Sequence, residues 1–123
     1  MEIINGDGVP KSNGHYSMGI QHNGCLYIAG QLPIQGENKE IPKSIEAQTL
    51  LVLEKVEQIV IAAKSSKEDI IQLRVYITDV ELWGKVNEVF ASFFGDHKPV
   101  RAIVPVPALH YGCMIEVEGI AAV

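Results

Sequence analysis

Two stretches of the chain repeat apolar residues at helical spacing, and shorter apolar segments bounded by turn residues surround them. From Ser44 to Lys64, residues Ile45, Val52, Val56, Ile59 and Ala63 share one face, widened by Leu50, Leu53 and Val60. Glu46, Glu54, Lys55 and Glu57 lie mostly away from it. Ser44 is placed to cap the first turn. Lys64 stands where a helix-ending glycine is expected, which predicts an imperfect C-terminal cap. A second helix is predicted over Val80 to Phe94, capped by Asp79 and ended by Gly95. Its stripe is Leu82, Trp83, Val86, Val89, Phe90, Phe93 and Phe94, with Asn87 at the edge.

The remaining segments read as strands. Glu2–Ile4 is short and runs into a loop rich in Gly, Asn, Pro and Ser over residues 5–15. Ser17–Gln21 and Cys25–Ala29 flank His22-Asn23-Gly24, a hairpin signal. Gly30 to Lys43 is a second loop. Ile70 to Thr78 alternates: Ile71, Leu73, Val75 and Ile77 point one way, and Gln72, Arg74, Tyr76 and Thr78 the other. Arg101 to Val106 is a strand stopped by Pro105 and Pro107. After a turn at Leu109–Gly112, Cys113 to Val123 is the last strand; Ile115 and Val117 face one side, Met114, Glu116 and Glu118 the other. The order strand, hairpin, helix, strand, helix, two strands predicts an α+β sandwich, a mixed sheet with both helices on one face. The other face carries Arg74, Tyr76, Glu116 and Glu118. Semi-polar groups among strong strand-formers suit a subunit interface better than open solvent.

At 123 residues, 47% hydrophobic and 20% charged, the chain is a single domain, 1–123, with enough apolar mass for its own core. Its net charge of −5 argues against a general polyanion binder, so a nucleic-acid partner is not expected. Cys25 and Cys113 are far apart with no CxxC, and read as free, buried apolar fillers in a reducing compartment. The N-terminus has no secretory pattern, and the longest apolar run is Ile59 to Ala63, far short of a span. A cytoplasmic protein without a membrane partner is expected.

Motif chemistry is sparse. There is no phosphate-binding glycine loop, nucleophile elbow or HExxH, and the four histidines lack metal-ligand spacing. What remains is a carboxylate, Glu116, and an arginine, Arg101, on the last two strands. From type and position alone they are a functional pair, a structural ion pair or two solvated side chains. His110, in the turn between those strands, is a solvated residue or a pocket acid or base, its ordinary pKa being near 6.5.

A family resemblance narrows this. Gly14-His15-Tyr16-Ser17, Ile28-Ala29-Gly30-Gln31-Leu32-Pro33, Glu46-Ala47-Gln48-Thr49, Val75-Tyr76-Ile77-Thr78-Asp79, Val86-Asn87-Glu88-Val89-Phe90, Pro99-Val100-Arg101-Ala102 and Ile115-Glu116-Val117-Glu118-Gly119-Ile120-Ala121 resemble, in order, the signatures of the Rid/YjgF family, also called L-PSP endoribonucleases. The resemblance implies a chorismate-mutase-like α+β subunit, a homotrimer with sites between subunits, and a central barrel lined by the outer sheet faces. It implies hydrolysis of 2-aminoacrylate and related 2-imino acids to 2-keto acids and ammonia, a 2-iminobutanoate/2-iminopropanoate deaminase-type reaction with no metal and no organic cofactor. Arg101 matches the substrate-carboxylate position, where a guanidinium fork suits a carboxylate. Glu116 matches the residue that orients and deprotonates water. The Gly30 N–H and the Ile103 carbonyl would complete the clamp, with Tyr16 and Asn87 shaping the pocket.

The chain departs from the family pattern at His15 in place of Pro, Ala29 in place of Ser, Ile103 in place of Cys, and Leu109-His110-Tyr111-Gly112 in place of Leu-Pro-Lys-Asp. Ala29 removes a hydroxyl ligand, and Ile103 makes the pocket bulkier and more apolar. A non-catalytic trimer that binds small 2-keto or 2-amino acids is the second reading. RNA cleavage ranks last, because the chain has neither a positive stripe nor a histidine pair placed for it.

Overall fold

The computed structural model describes all residues, 1–123. Eight main elements follow one another: β1 (Glu2–Ile3), β2 (Gly19–His22), β3 (Cys25–Gln31), α1 (Ile45–Ala62), β4 (Ile70–Ile77), α2 (Trp83–Phe94), β5 (Val100–Pro105) and β6 (Ile115–Ala122). The strands form one mixed sheet in the order β1-β2-β3-β6-β4-β5, antiparallel except for the parallel pair β4 and β5. The β4–α2–β5 crossover is what makes that pair parallel, and it leaves β5 as an open edge. Pro99 precedes this strand, Pro105 ends it and Pro107 follows.

Both helices lie on one face, as the pattern predicts. Val52, Val56, Ile59 and Val60 of α1 and Val86, Phe90 and Phe94 of α2 close over Leu73, Val75, Ile77, Ile115 and Val117 of the sheet. The hairpin is also as expected: Asn23 and Gly24 both take positive φ (51° and 79°), the geometry of a tight turn matched to strand twist.

Several local expectations are corrected. The simple alternation along β4 breaks at its start: the pairing with β6 shifts between Ile70 and Gln72, so Ile70 is buried and Ile71 is 45% exposed. This is a β-bulge, in which one extra residue reverses the inward-facing set. Leu50 lies outside the α1 core face and is exposed. Lys55 reaches back to donate to the carbonyls of Leu32 (2.7 Å) and Ile34 (3.0 Å) instead of pointing to solvent. Asp79 caps a separate 3-10 turn, Val80–Leu82, before α2 begins, and Trp83 is exposed. Cys25 is only half-buried, unlike Cys113; both are free thiols.

The end of α1 is better closed than expected. Ser65 N–H donates to Val60 O and Lys64 N–H to Ile61 O, the paired bonds of a Schellman motif. Lys64 adopts φ 64° to make them, a conformation that glycine adopts without steric cost.

Candidate active site

Alternation in the last two strands decides which side each candidate occupies. On β6, Ile115 and Val117 are buried under the helices, so Glu116 and Glu118 project from the outer face. On β5, Arg101 pairs with the buried Leu73, and Ile103 with the buried Val75, so both lie on the helix face. Within one chain Arg101 and Glu116 therefore sit on opposite faces of the sheet, two strands apart, or about 10 Å of lateral spacing. They do not form the ion pair that the sequence left open. The structure brings the sequence-derived candidates together in two separate groups.

The first group is built around Arg101. Its Nη2 donates to Asn87 Oδ1 at 3.0 Å. The guanidinium carbon lies 4.9 Å from the centre of the Phe90 ring and 5.6 Å from that of Trp83. Cation–π attraction to both rings orients the head group, and partial burial lowers its pKa. No carboxylate pairs with it: the single ion pair in the chain joins Arg74 and Glu118. Asn87, Phe90 and Arg101 line a cavity of about 530 Å³. Ile103, two residues on along β5 and on the same face, packs against the core. Asn87 was singled out in the sequence, whereas the roles of Trp83 and Phe90 were not. Their spacing with Asn87, i, i+4 and i+7 on one helix face, is the signal that could have found them.

The second group surrounds Glu116. The β3–β6 pairing shifts between Ile28 and Gln31, giving Ala29 and Gly30 an irregular segment that turns Gly30 toward the outer face. A Cβ at Gly30 would stand 2.7 Å from Glu116 Oε2, so only glycine fits there undisturbed. The buried Gln31 amide donates to Ala29 O at 2.9 Å and fixes this segment. Burial pushes the Glu116 carboxyl above its ordinary range; nearby His110 opposes the shift and Glu118 adds to it. Glu116 makes no hydrogen bond within the chain, which leaves its oxygens free for water or ligand. His110 itself is exposed in the 3-10 turn His110–Gly112. Tyr16 is exposed and, with Gly30, lines a cleft of about 560 Å³ that excludes Arg101.

Next to Glu116 the outer face is already satisfied. Arg74 Nε lies 2.6 Å from Glu118 Oε1, and the Tyr76 hydroxyl donates to the same oxygen at 2.9 Å. Burial pulls the Glu118 carboxyl upward, but these hydrogen bonds prevail and hold it below its ordinary range.

Comparison with known proteins settles the ancestry. The family profile described as "Endoribonuclease L-PSP" matches residues 8–123. A RutC family protein of Pyrococcus horikoshii is 42% identical over 121 residues, covering 98% of this chain and 96% of that protein. The chain belongs to the Rid/YjgF/RutC family. Two relatives of this Rid protein are informative. Escherichia coli (strain K12) has one named "Putative reactive intermediate deaminase TdcF", 36% identical over 98% of this chain and 95% of its own. A crystal structure of E. coli TdcF with bound serine superposes with a TM-score of 0.94 at 35% identity, covering 100% of this chain and 99% of that one. RidA from the Antarctic bacterium Psychrobacter sp. PAMC 21119 gives 0.93 at 32% identity over the full length of both. The Rid fold is thus shown for the whole chain. No helix of this Rid protein is long and apolar enough to cross a membrane.

Proposed function

We propose that this protein hydrolyses reactive 2-imino acids, including 2-aminoacrylate after tautomerisation, to 2-keto acids and ammonia. The observation that carries the reading is Arg101: a half-buried guanidinium braced by an amide and two aromatic rings, in a chain of net charge −5, with no acid paired to it. Its unused N–H groups form a prepared seat for a small carboxylate, which every 2-imino acid carries. The relative named a reactive intermediate deaminase and the TdcF structure holding serine, itself an amino acid, support the same substrate class.

Glu116 supplies the second requirement. Water must add to the C=N carbon, and a carboxylate with unoccupied oxygens can take its proton as the C–O bond forms. The amine nitrogen gains a proton, the carbinolamine collapses, and ammonia leaves as the C=O bond forms. The Gly30 N–H and the Ile103 carbonyl would hold carboxylate and water. Tyr16 and Asn87 would line the pocket, and His110, close to Glu116, is the reserve acid or base.

The opposed faces of Arg101 and Glu116 require two copies of the chain to complete one site. A second copy set against the β5 edge would carry its Glu116–Gly30 face toward Arg101. Closed cyclic symmetry then gives as many sites as subunits, and a homotrimer suits the semi-polar outer face as a shared interior. The test is keto-acid release from freshly generated 2-iminopropanoate, run beside a mass measurement. Release above the spontaneous rate, lost in Arg101→Ala, together with a mass about three times 13.5 kDa, is expected. An active monomer refutes the composite site, and an inert protein that binds keto acids establishes the binder instead.

A further inference from the structure

We propose that Trp83 is the specificity wall of the Arg101 site, and that it selects 2-imino and 2-keto acids with extended apolar side chains over the smallest ones. The inference rests on the reading of Arg101 as a carboxylate anchor. The two rings flanking Arg101 are not equivalent. Phe90 is 5% exposed and supports the guanidinium from within, whereas Trp83 is 46% exposed and presents indole surface outward. An apolar ring this large, left half in solvent at the first turn of α2, adds nothing to the core there.

Geometry places a bound side chain against it. Asn87 occupies one N–H of Arg101, and the remaining donors are available to a carboxylate. A carboxylate held there sets the first carbons of the ligand side chain within a few ångströms of the guanidinium, the range at which the indole stands. Ile103 adds a second apolar surface on the same face of β5. Arg101 and Asn87 are bonded to each other here, His97 and Lys98 line the same cavity, and no acid of this chain lines it to attract a basic side chain. Burying three extra carbons against indole and isoleucine gives a selectivity of roughly tenfold or more.

Trp83 is the one tryptophan of the chain, so it reports its own contacts. The experiment titrates the intact protein with two stable keto acids, 4-methyl-2-oxopentanoate and pyruvate, following indole fluorescence and repeating each titration by calorimetry. The branched acid should bind at least tenfold more tightly and change the emission more. In Trp83→Ala, followed by calorimetry, the ratio of the two dissociation constants should fall below about threefold. Trp83→Phe, which keeps a ring, should restore part of it. Equal affinities in the unaltered protein, equal proportional losses in the variants, or binding of neither acid overturns the proposal. The expected pattern without any hydrolysis of imines leaves this inference standing and refutes the catalytic reading.

Discussion

The chain has two arginines, and the structure treats them oppositely. Arg74 lies on the outer face with its charge matched by Glu118, and Tyr76 completes the cluster. Arg101 lies at the sheet edge, more enclosed, and has an amide and two rings where an acid would be expected. The two glutamates repeat the contrast: Glu118 is bonded twice, and Glu116 has no hydrogen-bond partner within the chain. Paired charges have already found what they need. Charged groups held in place with unused hydrogen-bonding capacity incur a desolvation cost that a ligand, water or another subunit can relieve, which makes Arg101 and Glu116 the candidates for a site.

The largest expected effect removes the unpaired acid. Glu116→Gln keeps the shape but not the base, so turnover should fall by roughly 10²- to 10⁴-fold while binding of pyruvate persists. The pH dependence sharpens this. Because burial raises the Glu116 pKa, activity should climb with pH through a value above the ordinary carboxylate range, and that limb should vanish in Glu116→Gln. Folding responds with the opposite sign: an acid with a raised folded-state pKa costs the native state stability as pH rises and the group ionises. Glu116→Gln should therefore be at least as stable to urea at neutral pH, whatever its activity.

Removing the unpaired arginine comes next. Arg101→Ala should weaken keto-acid binding by about 2–5 kcal/mol, since it leaves the ligand charge unmatched. Arg101→Lys should recover only part, because an ammonium lacks the fork. Calorimetry with pyruvate checks both.

The paired arginine should matter far less to chemistry. Arg74→Ala breaks an exposed ion pair of the kind worth about 0–1 kcal/mol, so keto-acid affinity should stay within about twofold of the unaltered protein. A loss as large as that of Arg101→Ala would erase the distinction between the two. A prediction remote from both arginines concerns stability alone: Lys64→Gly relieves a left-handed lysine and should stabilise by about 0.5–1 kcal/mol, read from the urea midpoint.

The layer architecture was legible because the apolar periods of α1, α2, β4 and β6 follow their burial closely. The exceptions have local causes. Ile71 follows the alternation in sequence but sits beyond a bulge, and a register shift leaves no mark in composition. Lys55 looked solvated because the carbonyls it binds belong to a loop twenty residues and more away. Arg101 and Glu116 could be proposed from type and resemblance. That they face opposite ways could not, because it depends on which β4 neighbour each strand adopts. Trp83 read as part of an apolar stripe, and only the placement of β5 against α2 turns it into a neighbour of Arg101.

The edge strand that carries Arg101 has one more consequence. An open edge is a template for foreign strands, and a flat one invites aggregation. Proline contributes no N–H to a ladder, and Pro99, Pro105 and Pro107 fence β5 at both ends. Only a short run of backbone is left on which an intruding strand could register. The chain can thus carry Arg101 on an edge strand without offering that edge to amyloid-like growth.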